Sequence, residues 1–193
     1  MKKIMFNDKF GLTKAVLEGR KTQTRRIVLE RYANALQDSK NMLISHNKTK
    51  EQINSALSEL GIIISPYKTG DIVAIAQSYK YCGAPAIFWK ETPGWTNKMF
   101  VKANLMPHNI KIEQVRVERL QDISDEDCLK EGIYEDGGND SFIPHYFYNY
   151  YNSNSDGFKT PQLAYADLIN KIACNSTWDS NPWVFVYDFK LIK

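Results

Sequence analysis

Gly19-Arg20-Lys21-Thr22-Gln23-Thr24-Arg25-Arg26 sets four cations and two hydroxyls within eight positions, and the chain reads as a scaffold around it. The preceding segment has the signals of a helix. Asn7 or Asp8 serves as its cap, Phe10, Ala15 and Leu17 as apolar positions, and Gly19 as a left-handed stop after Glu18, although Gly11 interrupts it. Ile27 and Val28 then continue the basic stretch as a strand. Two readings of the stretch stand side by side. In one, Arg20, Lys21, Arg25 and Arg26 form a solvated edge that attracts phosphate. In the other, the arginines lower the proton affinity of Lys21, which helps activate the Thr24 hydroxyl. Period-2 alternation puts Lys21 and Thr24 on opposite faces of a strand, so the second reading requires Lys21 to sit in the turn before it.

A chain of 193 residues with 43% hydrophobic content is long enough for one well-buried core. Its net charge of +3 is unevenly spread: residues 1–26 hold eight Lys/Arg against Asp8 and Glu18, leaving the remainder net acidic. That asymmetry points to an anionic ligand near the first segment, or to a solvated helix face. Cys82, Cys128 and Cys174 are odd in number and widely spaced, as befits a reducing compartment without a disulfide framework. His46, His108 and His145 share no metal-ligand spacing, so neither metal nor cofactor is expected. With no apolar run of spanning length, the expected location is cytoplasmic.

Further along, residues 31–50 are polar and weakly patterned, which suggests an excursion from the core. Thr49 and Gln52 fit a capping box for a helix with Ile53, Ala56, Leu57 and Leu60 on one face and Gly61 at its end. Pro66 to Asp71 turn the chain into the apolar strand 72–76, and residues 80–100 read as irregular, with Phe88, Trp89, Trp95 and Phe100 among Pro and Gly. From Ile110 to Leu120, Ile110 and Ile112 alternate in one phase and Val115 and Val117 in the other. One extra residue near Gln114 reconciles them, which predicts a β-bulge.

Ser124 caps a short acidic helix ended by Gly132, leaving Glu131 in the last turn, where the helix dipole disfavours negative charge. The aromatic excursion 134–158 carries Phe142, His145, Tyr146, Phe147, Tyr148, Tyr150 and Tyr151, which suit either base stacking or packing onto the body. Flanking Gly and Ser/Asn turns predict that deleting residues 140–156 leaves the protein folded. Thr160-Pro161 opens a helix with Leu163, Ala164, Leu168, Ile169 and Ile172 inward, and Trp183 to Ile192 alternate as a closing strand. Phosphate-loop, dinucleotide and zinc-deaminase motifs are absent.

Taken together, Leu17 to Arg26, the turn Lys68-Thr69-Gly70-Asp71, the block Val115 to Ser124 followed by Gly132-Ile133, and Trp178-Asp179-Ser180-Asn181-Pro182-Trp183-Val184 resemble the ASCH domain, in its phage and prophage-borne branch. The resemblance spans 1–193 in order as a single domain, with variable insertions at about 31–66 and 134–158. It implies an α+β fold, a PUA-like mixed β-barrel with flanking helices, which is associated with RNA binding; the charge asymmetry then puts binding of RNA or a nucleotide in a basic cleft at Arg20, Thr22, Arg25 and Arg26. It also implies hydrolysis of an amide such as N4-acetylcytidine, without a metal, with Lys21, Thr24 and Glu131 as catalytic residues. Where the phage branch commonly has Arg-Glu after its Gly-Asp strand, this chain has Ala76-Gln77. The alternative from another class is a non-catalytic phage accessory or assembly protein acting through protein contacts.

Overall fold

The computed structural model describes residues 1–137, 146–153, 155–173 and 175–192. Its frame is a five-stranded sheet in the order β1 (Lys2–Ile4), β3 (Ile72–Ile75), β4 (Asn109–Arg119), β7 (Trp183–Ile192), β2 (Gln23–Ile27). β1 and β3 run parallel and the other neighbours antiparallel. The architecture is mixed α+β. Among the described residues the sheet does not close on itself: β1 is one edge and β2 the other. The short strand β1 carries too little alternation to be read from sequence.

The predicted bulge lies where the β4–β7 register shifts between Ile112 and Gln114. It brings Ile110, Ile112, Val115 and Val117 to one face, all buried. The same register aligns Gln23 with Asp188 and Gln114, and Arg25 with Val186 and Arg116, on the opposite face. One face of the sheet is thus apolar and the other carries charge. Val184 and Val186 are as buried as Trp183, Phe185, Tyr187 and Phe189, so the first half of β7 is covered on both sides rather than on alternate positions.

Several helices cover this frame. α1 spans Leu12–Leu17 and starts later than the sequence predicts, because Gly11 has φ +62° and ends the preceding turn instead of interrupting the helix. Gly19, at φ +76°, stops it as expected. The polar excursion at 31–50 is corrected: most of it is α2 (Glu30–Ser45), a helix whose single buried residue, Leu36, leaves too narrow an apolar stripe to recognise. α3 (Lys50–Ile64) has the expected capping box and lays Gly61 against Val117 of β4. α4 (Ala86–Trp89) is a short turn within the irregular segment. α5 (Asp125–Lys130) is capped by Ser124, and α6 (Pro161–Ile172) by Thr160. On α6, Ala164, Tyr165 and Leu168 face inward, whereas Leu163 is exposed, contrary to expectation. α7 (Thr177–Ser180) leads into β7. Among the described residues, no helix is long and apolar enough to cross a membrane.

The aromatic excursion is partly structural. β5 (Tyr134–Gly137) pairs with β6 (Tyr146–Asn149), and Tyr150 is buried against Phe10 with ring centroids 5.7 Å apart. Its hydroxyl donates to Asp167 and accepts from Lys171 at 2.7 Å. Tyr150 therefore belongs to the core, which counts against the expectation that residues 140–156 can be deleted without loss of the fold. Phe142, His145 and Cys174 lie outside the described residues.

Candidate active site

The site grows from the junction of α1, β2 and α5. Gly19 turns the chain so that the amides of Arg20 and Lys21 both donate to Ala15 O, at 2.9 and 3.0 Å. The Thr22 amide donates to Lys130 O at 3.0 Å, tying the basic stretch to the end of α5, and its carbonyl accepts from the Phe189 amide at 2.9 Å. Lys21 thus sits before β2 begins at Gln23, in the position its approach to Thr24 requires.

Lys21 and Glu131 are fully buried and make an ion pair of 2.5 Å. The Lys21 ammonium also donates to the Glu131 backbone carbonyl at 2.7 Å. A cation thus meets the C-terminal end of α5, where free carbonyls favour positive charge. The placement of Glu131 that helix stability leaves unexplained is accounted for by its partners: Lys21 on Oε2 and Arg25, at 3.2 Å, on Oε1. Burial pushes the Lys21 pKa below its usual 10.5, and Glu131 opposes that shift. Arg26 and Arg25 contribute least, so the lowered proton affinity expected from neighbouring arginines arises chiefly from desolvation.

The basic stretch does not act as one cationic edge. Arg25, its side chain 1% exposed, spends its guanidinium on Glu118 at 2.6 Å, Asp127 at 3.0 Å, Glu131 and Gln23. Arg116 continues the network to Asp127 at 2.5 Å and Asp188 at 2.6 Å. Burial works against the charge of Asp127, but hydrogen bonds from Arg25 and Gln23 outweigh it and hold its pKa below the carboxylate norm. Arg20 is paired with the exposed Glu18 at 2.6 Å, Thr22 is exposed, and neither lines the cavity described next. Arg26 stays at that cavity, donating to Met5 O at 2.5 Å with its guanidinium 5.8 Å from the Phe6 ring centroid.

Lys21, Thr24, Arg25, Arg26, Glu131 and Tyr165 line one cavity of about 240 Å³, completed by apolar Phe6, Leu12, Leu168, Ile169 and Ile172. Both phases of β2 reach it because β2 is an edge strand. The structure therefore brings Lys21, Thr24, Glu131, Arg25 and Arg26 together and leaves Arg20 and Thr22 outside. Sequence reading missed Tyr165, which follows the inward spacing of Leu168 and Ile172 on α6 and looks like core there. It also missed Gln23, Glu118, Asp127, Arg116 and Asp188. For Arg116, Glu118 and Asp188 the signal was a polar phase on β4 and β7, and for Gln23 one on β2, visible only once the strands are aligned, whereas Asp127 on α5 carried none. Among the described residues, no group of three or more His, Cys, Asp or Glu is placed to hold a metal ion. Comparisons with protein-family models, curated proteins and solved structures find no match to this chain.

Proposed function

We propose that the protein is an ASCH-type, PUA-like amidohydrolase for a small acylated amine, N4-acetylcytidine being the representative substrate. The observation that carries this reading is the shared cavity: a hydroxyl, a buried amine and a carboxylate meet beside an apolar wall, in a volume of about 240 Å³, at the small end for ligand sites. Thr24 is the nucleophile. Its hydroxyl proton passes to the neutral form of Lys21, which burial makes more accessible, while Glu131 fixes the amine in place. Attack of Thr24 Oγ on the amide carbon forms a tetrahedral intermediate. Its collapse breaks the C–N bond, the departing amine takes the proton from Lys21, and water then cleaves the acyl ester to release acid and Thr24. The sequestration of Arg25 by carboxylates argues for a small neutral substrate over an RNA strand, which needs cations free for phosphate.

The test is turnover of N4-acetylcytidine by wild type, Thr24→Val and Lys21→Met. Wild type is expected to release acetate at neutral pH and both variants to lose at least about 1,000-fold in kcat/KM. Thr24→Val is expected to unfold within about 1 kcal/mol of wild type, because the Thr24 hydroxyl has no hydrogen-bond partner among the described residues. Salt-dependent RNA binding by an inactive wild type would restore the module reading.

A further inference from the structure

Resting on the reading of Thr24 as nucleophile, we infer that the Tyr165 hydroxyl is the donor that receives the carbonyl oxygen of the bound amide and stabilises the oxyanion formed on it. Acyl transfer moves the carbonyl π electrons onto oxygen, and a low-dielectric site needs a fixed donor where that charge appears. Two of the strongest donors at this cavity are already committed. Lys21 directs two N–H groups at Glu131, and Arg25 is spent on Glu118, Asp127, Glu131 and Gln23. β2 pairs with β7 on one side only, so every second backbone N–H faces its open edge. Arg26 donates once, to Met5 O, beside the Phe6 ring, and Asn7 accepts the Lys9 amide on Oδ1 while its Nδ2 has no partner among the described residues.

Tyr165 combines three properties at this cavity. It is 2% exposed, lines the cavity, and its hydroxyl has no hydrogen-bond partner among the described residues. The hydroxyl is not one of the fully enclosed unsatisfied atoms, so it opens on the cavity, where a ligand can reach it. The ring is fixed edge-on to Trp178, with centroids 6.3 Å apart at 78°, so the donor is pre-positioned. Burial first, and then the nearby Glu131 charge, push the phenol pKa well above its usual value, which keeps the proton on oxygen at any working pH. The phenol donates its hydrogen bond without surrendering the proton, and the intermediate collapses as described above.

The experiment compares wild type with Tyr165→Phe in two measurements: steady-state hydrolysis of N4-acetylcytidine, and calorimetric binding of its methylphosphonamidate analogue, a tetrahedral anion. The variant is expected to lose about 100-fold in kcat with KM within about threefold, and to bind the analogue about 100-fold more weakly. Its melting temperature is expected to equal or exceed that of wild type. Unchanged kcat and analogue affinity in Tyr165→Phe, with wild type active, overturn the assignment and leave Thr24 standing. Tyr165-dependent analogue binding by a wild type without turnover upholds the oxyanion donor and overturns the nucleophile. A wild type that neither turns over nor binds the analogue overturns both.

Discussion

Two polar regions sit side by side in this protein and are built on opposite rules. Beneath α5, the charged face of the sheet is saturated: Arg25 and Arg116 share Glu118 and Asp127, with Asp188 and Glu131 at either end. In the adjoining cavity, the hydroxyls of Thr24 and Tyr165 have no partner among the described residues. Lys21 and Glu131 belong to both regions. The contrast teaches that the network is scaffold and the cavity is workplace: satisfied charges fix geometry, whereas unpartnered groups remain available to a ligand.

The strongest way to break this division is to remove a charge that serves both sides. Glu131→Gln leaves Lys21 without its counter-ion and Arg25 short of one, and is expected to cost about 3–5 kcal/mol in denaturant unfolding as well as all turnover. Adding Lys21→Met should recover part of that stability but no activity, because a neutral pair is easier to bury than a lone cation. Additive losses in the double variant would show that the two side chains do not act as a unit.

A smaller effect comes from pH. The folded pKa of Lys21 lies below its unfolded value, so between the two the unfolded chain holds more protons and stability rises with pH. Below the folded pKa the penalty is constant and fully present. Wild type minus Lys21→Met, followed by urea unfolding up to pH 10, should show this rise. That ceiling avoids the buried tyrosines Tyr165 and Tyr187, whose raised pKa values lower stability at higher pH. On the proposed mechanism the rate should climb through the same lowered pKa, since there Lys21 must be neutral to accept the Thr24 proton. A flat difference curve would mean that Lys21 is not perturbed by folding.

The smallest effect sharpens the boundary from outside. Arg20→Ala removes an exposed pair with Glu18 that touches neither region, and is expected to leave melting temperature and kcat/KM unchanged. A large loss of activity in this variant would extend the site to the surface.

The parts of this arrangement governed by local rules were legible in the sequence. Thr49 with Gln52, Ser124 and Thr160 announced three helix starts, Gly19 a stop, and the phase change between Ile112 and Val115 a bulge. Glu131 stood out because its own helix does not want it. What could not be read was distance in space. A run of arginines looks like surface until Glu118 and Asp127, nearly a hundred residues away, are known to meet Arg25. Tyr165 could not be told from core, since the cavity and the core share the same helical stripe. α2 was missed for the opposite reason, having almost nothing to bury.

The single extra residue in β4 has a consequence for how the chain can change. Deleting Glu113 would restore an unbroken ladder and rotate residues 114–119 by half a turn, carrying Arg116 and Glu118 toward α3 and Val115 and Val117 toward Arg25. Local geometry would improve while the anions that clamp the edge strand moved out of reach. Insertions and deletions should therefore be tolerated in the loop between α2 and α3 and disruptive at this position, so the length of one strand acts as a ruler for the position of Thr24, about ninety residues earlier.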